Sequence, residues 1–165
     1  MTMAAPTIRL LVCGSADRGD DGAPLAAVAR LLPGLTAAVR AHLEIRRCVQ
    51  LDVSDIVDVP TGEACIVLDT VVGIEPGDVV TMSLPELAAR AATIAPRSSR
   101  ALPIDQVLGI AEAVRGGLPP GAFVGIGGHW FGFGTMRSRV VRAGLPNLQA
   151  AVTEAIDALL VLEKV

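Results

Sequence analysis

A three-layer α/β/α sandwich around a five-stranded, mostly parallel sheet is the fold class that this sequence predicts. Short apolar runs alternate with helix-forming stretches along its 165 residues. Those runs are rich in aliphatic and β-branched residues, as in strands buried on both faces. One connection between consecutive strands, residues 69–77, is only nine residues long, whereas a parallel return needs about a dozen or more. The strand after it is therefore expected to run antiparallel.

Residues 7–13 read as the first buried strand and 14–22 as a loop. Pro24, at an early helix position, starts a helix to about Leu32 that Pro33-Gly34 ends. Residues 43–49 form a second strand, and 52–59 allow a helical turn at most before Pro60. Residues 64–68 are the third strand, closed by Asp69, and 78–83 the fourth. A short helix (84–91), a loop (92–103) and a helix (104–115) with Pro103 near its start follow. Beyond a Gly- and Pro-rich turn, residues 122–126 give the fifth strand. A long helix then covers 137–163, with Gly144 and Pro146 marking a bend or interruption. No repeat, linker or low-complexity tract divides the chain. Residues 1–165 read as one domain, large enough to bury a core without metal or disulfide staples.

Composition narrows the function. The chain is 52% hydrophobic, yet no apolar run approaches the roughly 18 residues of a spanning helix, and its first residues lack a signal peptide's charged start. A cytoplasmic protein without a membrane partner is expected. The net charge is −3, with basic residues scattered along the sequence, which argues against nucleic acid as a partner. Cys13, Cys48 and Cys65 lie in strand-like runs without metal-ligand spacing, so buried reduced thiols are expected.

Two aspartates stand where strands run out, Asp21 after the first and Asp69 after the third. In a parallel sheet both reach the carboxyl edge, where such folds place their ligands. Two carboxylates meeting there form a cation site or a coupled acid–base pair, because like charges in contact need a counter-charge. Arg100, before the next helix, is the counter-charge at hand. Each aspartate also has a plainer reading: Asp20 or Asp21 capping the helix that follows, and Asp69 accepting from the amides of its own turn. The segment from Gly14 to Gly22 sits where a phosphate loop would, but Asp20-Asp21 replaces the Lys-Ser/Thr pair and would repel phosphate. No G-x-S-x-G motif is present, and the two imidazoles, His42 and His129, are far in sequence from Cys13 and Ser15, which speaks against a hydrolytic triad. All the aromatic residues, Phe123, Trp130, Phe131 and Phe133, fall at or near a glycine-flanked loop (127–134) after the fifth strand. That loop is either a recognition surface or a set of rings folded inward.

Taken as an ordered series, these residues resemble the nickel–iron hydrogenase maturation protease (endopeptidase) family. Gly14-Ser15 followed by Asp20-Asp21 matches its first motif, and Asp69 with Glu75-Pro76-Gly77 its third-strand motif. Ser98-Ser99-Arg100 stands at its Ser-x-His, and Val124-Gly125-Ile126 at its fifth strand. The resemblance covers nearly the whole chain. It implies a phosphorylase/hydrolase-like sandwich and removal of a C-terminal extension from the hydrogenase large-subunit precursor. There is no intrinsic cofactor in that scheme, nickel being presented by the precursor. Asp21 and Asp69 take the positions of the family's catalytic and metal-contacting acids. Arg100 takes that of its histidine, and Ser15 that of an asparagine. A guanidinium has no free lone pair for nickel, so Arg100 is expected to bridge the aspartates, or His129 supplies the nitrogen. The alternative is a non-catalytic assembly or binding homologue that has lost nickel sensing.

Overall fold

The structure, a computed structural model, describes residues 7–89 and 103–163. Its strands are β1 (Ile8–Cys13), β2 (Leu43–Cys48), β3 (Ala64–Val71), β4 (Val79–Ser83) and β5 (Gly121–Gly127). Its helices are α1 (Ala23–Leu31), α2 (Ala37–Ala41), α3 (Val53–Val57), α4 (Leu84–Ala89), α5 (Ile104–Arg115) and α6 (Arg139–Glu163). The strands form one sheet in the order β2-β1-β3-β5-β4, with β4 alone antiparallel, as the short 69–77 connection requires.

Two apolar clusters sandwich the sheet. On one face Leu10, Val12, Ile66, Leu68, Val124 and Ile126 pack under α1 and α6. On the other, Leu11, Val67, Val71 and Phe123 pack under α3, α4 and α5. The alternation along each strand, odd residues to one side and even to the other in β3, is the period-two pattern that divides an all-buried strand between two layers. The helices show the complementary period. Ile104, Val107, Leu108 and Ala111 line one stripe of α5, which stops at Gly116 in the left-handed conformation (φ 83°). A reciprocal capping box between Asp52 and Asp55 starts α3.

Three sequence expectations need correction. β3 does not end at Asp69: Thr70 and Val71 continue it, paired with Ile126 and Gly127 of β5. The helix α2, capped by the Thr36 hydroxyl, was not expected, and it buries no residue in the core. α6 is one unbroken element running through Pro146. At Gly144 a Cβ would lie 2.4 Å from the Gly77 carbonyl oxygen of the β3–β4 turn, so this glycine allows close contact there. By length and composition α6 is also apolar enough to cross a membrane, a property that unbroken apolar runs did not reveal. Val141, Leu145, Leu148, Val152 and Ile156 place its apolar stripe in the core.

The aromatic residues divide between these roles. Phe123 is fully buried in β5 and Phe133 is 78% exposed. Phe123→Ala is expected to cost about 3–5 kcal/mol and Phe133→Ala no more than about 1 kcal/mol, read as the shift in denaturation midpoint by urea titration.

Candidate active site

The strand order turns back on itself at β1. The chain leaves β1 for β2 on one side and returns to β3 on the other, so the carboxyl ends of β1 and β3 border the crevice at the topological switch point. Asp69 follows Leu68, the register partner of Val12, and so stands beside Cys13 at the end of β1. It is buried, and one oxygen accepts the Thr70 N–H at 2.8 Å, as the plainer reading anticipated.

Asp21 reaches the same edge by another route. A short 3₁₀ turn, Gly19–Gly22, precedes α1 and buries both of its aspartates. The Asp21 carboxylate accepts the Ser15 N–H at 2.9 Å, folding the turn back onto the end of β1. Gly14 makes this possible: its φ is 131°, and a Cβ there would sit 2.1 Å from the Asp21 carbonyl oxygen. Neither aspartate caps α1, whose N-cap Gly22 receives no side-chain hydrogen bond. The Thr70 hydroxyl donates to the Asp20 carbonyl at 3.0 Å, joining the end of β3 to the turn that carries Asp21.

Asp20, which the sequence offered only as a capping acid or as Asp21's companion, organises the edge. Its fully buried carboxylate accepts four hydrogen bonds, from the His129 and Trp130 amides at 2.8 Å each, the Ser138 amide at 2.6 Å and the Ser138 hydroxyl at 2.9 Å. Burial pushes its pKa up, but these donors outweigh burial and hold it below the ordinary aspartate value. Backbone bonds from Gly19 to Gly134, Asp20 to Trp130 and Gly134 to Asp17 add to the clamp. The 127–134 loop is thus tied along its length to the loop after β1, and does not hang from two glycines. Trp130 (44% exposed) packs over Gly19 and Gly132, Phe131 is half-buried against Gly128, and the Arg18 guanidinium lies 4.1 Å from the centre of the Phe133 ring.

His129 gives its backbone N–H to Asp20, while its imidazole makes no hydrogen bond among the described residues. Among those residues no group of three or more His, Cys, Asp and Glu gathers to hold a metal ion. Ser98, Ser99 and Arg100 lie outside the described residues.

The thiols form part of this edge. Cys13 and Cys48 are register partners in β1 and β2. A hydrogen bond from Cys13 lowers the Cys48 pKa, against burial and the nearby Asp55 and Asp69 charges. Cys48 is half-buried, short of the full burial expected, whereas burial pushes Cys65 up to about 12.

No family model matches the chain, and no curated protein matches it in sequence. Solved structures do. The NiFe hydrogenase maturation protease HybD from Thermococcus kodakarensis is 24% identical with a TM-score of 0.62, covering 90% of this chain and 98% of its own. The hydrogenase maturating endopeptidase HybD from E. coli is 18% identical with a TM-score of 0.70, covering 92% of each. The NiFe hydrogenase maturation protease HycI from Thermococcus kodakarensis KOD1 is 16% identical with a TM-score of 0.61, covering 91% of this chain and 92% of its own. The fold is that of the hydrogenase maturation proteases. The five-stranded sandwich with one antiparallel strand, expected from the sequence, is the same architecture, and the hydrogenase maturation protease fold puts the Asp21 and Asp69 segments at one end of its sheet here.

Two measurements probe this edge. Asp20→Asn would set an NH₂ group against donors and is expected to cost about 2–4 kcal/mol. Because the folded-state pKa of Asp20 is depressed, its contribution is fully present above about 3.8 and is lost as pH falls through the lower folded value. Acid titration of stability should therefore show a step near that pH which Asp20→Asn lacks. In the native protein, iodoacetamide near neutral pH should alkylate Cys48 well before Cys65, by peptide mass mapping.

Proposed function

We propose that this protein is an endopeptidase that removes a C-terminal extension from a nickel–iron hydrogenase large-subunit precursor in the cytoplasm, with Asp21 and Asp69 as the residues that meet the metal and the scissile segment. The observation that carries the reading is the arrival of two buried carboxylates, from the β1 and β3 segments, at the switch point of a sheet with the maturation-protease fold. Carboxylates gathered at one sheet edge can contact a cation, and a precursor carrying nickel brings one with it. Their oxygens can also accept protons from an attacking water and orient the peptide that it attacks. Nickel belongs to the substrate in this reading, and the protein needs no cofactor of its own.

Arg100 replaces the imidazole of the family pattern and cannot donate a lone pair to a metal. Contact with nickel then rests on oxygen donors, a hard set that holds this metal weakly, so recognition depends on the precursor's own coordination of the ion. A purified cognate precursor loaded with nickel should be shortened at its C-terminus by the full chain, with the product identified by mass spectrometry. Asp69→Asn and Asp21→Asn should each slow that cleavage by roughly 10² or more with an unchanged near-UV circular dichroism spectrum. A wild-type protein that binds the loaded precursor and never shortens it, or two variants that cut at the wild-type rate, would overturn the catalytic assignment.

A further inference from the structure

Four of the fourteen lysines and arginines in this net-negative chain, Arg18, Arg137, Arg139 and Arg142, belong to the joined loops and the start of α6 beside the carboxylate edge. In the sequence they look scattered, because Arg18 is separated from the others by most of the chain. Folding gathers them: Arg18 forms an isolated bridge with Gly134, and Arg137 and Arg139 flank Ser138, which is bonded to Asp20. Arg139 and Arg142 are exposed and three apart, on one face of the first turns of α6.

Among the described residues no acid balances these charges, and Arg18 rests on the Phe133 ring instead. Among the described residues none of the four forms an ion pair, whereas Arg9 and Arg46 both pair with Glu44. The Arg137 Nε is buried without a hydrogen-bond partner, its guanidinium lying against Gly22 in the turn of Asp20 and Asp21. Cations at the amino end of a helix oppose its macrodipole, so Arg139 and Arg142 stand where helix stability disfavours them. Trp130 and Phe133, large and exposed, stand among the arginines, and aromatic rings with arginines are the side chains that dominate binding at protein interfaces.

We propose that Arg18, Arg137, Arg139 and Arg142, around Trp130 and Phe133, form a docking surface for an acidic, extended segment of a protein partner. Charge complementarity selects the occupant. Discrete carboxylates can each take a guanidinium in a bidentate pair. A continuous phosphate backbone would also meet exposed Asp17 on the first loop and Glu75 and Asp78 on the turn packed against α6. The inference rests on the proposed function only for the partner's identity, the acidic segment then lying on the large-subunit precursor.

The test uses the full chain, the charge reversal Arg139→Glu/Arg142→Glu, a fluorescent Glu-rich peptide, its Gln counterpart, a single-stranded RNA oligonucleotide and the cognate precursor. The wild type should bind the Glu-rich peptide in a salt-sensitive way and the Gln peptide poorly. The reversal should weaken both the peptide and the precursor by about tenfold or more, while its melting temperature stays level or rises, because the helix dipole is better matched. Trp130→Ala should weaken the same ligands without changing their salt dependence. Peptide binding without precursor binding would keep the surface and overturn the hydrogenase reading. Precursor binding that is indifferent to the reversal would keep that reading and overturn the surface. RNA held more tightly than the acidic peptide, or a Gln peptide bound as well as the Glu peptide, would also overturn it.

Discussion

The carboxylate of Asp20 accepts hydrogen bonds from groups 109 to 118 residues away in the chain, and the form of the sheet's carboxyl edge follows from them. A buried carboxylate is costly unless its charge is met by donors. Here the donors are three backbone amides and one hydroxyl, not a cation. Satisfying them draws the loop after β5 across the loop after β1 and sets where α6 begins, since Ser138 both bonds Asp20 and accepts the Arg142 amide in the first turn of that helix. Asp21, the next residue, is turned instead to the end of β1 through Ser15. Adjacent acids of the same type thus take different work, because one is surrounded by amides of the loop after β5 and the other accepts an amide at the end of β1.

Glycine is what lets these chains approach. At Gly14 a side chain would collide with the Asp21 carbonyl, and at Gly19 with the Trp130 ring. Both have positive φ, so they answer a backbone demand and a steric one together. The Gly-Asp-Asp-Gly turn is therefore unlike the loops that cradle phosphate: its Asp20 carboxylate and its Gly19 and Asp20 amides are directed to the loop after β5.

The sheet and its order of elements were legible because they rest on local signals. Apolar runs of strand length, Pro24 and Pro103 at helix starts, and a connection too short to cross over all act within a few residues of where they are read. What escaped has a common physical cause. α2 fully buries no residue and sets only Val39 partly against the core, so no apolar period marks it. β3 passes its aspartate because Thr70 and Val71 find partners in β5, a contact between distant segments. The roles of Asp20 and Ser138, and the pairing of Cys13 with Cys48, depend on residues brought together from far apart. The two carboxylates could be placed at one edge from the strand pattern alone. That Asp20 would be the acid clamped by distant amides was not legible, since either of two neighbouring acids satisfies the same local rules.

The edge carries charge of both signs in separate zones. Asp21 and Asp69 lie inside, at the ends of β1 and β3, where burial strengthens their field. Arg18 and Arg137, on the joined loops, and Arg139 and Arg142, at the start of α6, lie beside them, the first, third and fourth well exposed. The substrate proposed above, a large protein with a metal centre, would meet the first zone with one localised positive charge and the second with an acidic segment. The exposed arginines act over a Debye length and favour encounter in one orientation. The buried carboxylates act only at contact and discriminate what arrives there. In the proposed function, with Arg100 where the family has an imidazole, a greater share of recognition falls to orientation by the surrounding surface. The organisation of that surface depends in turn on the carboxylate of Asp20.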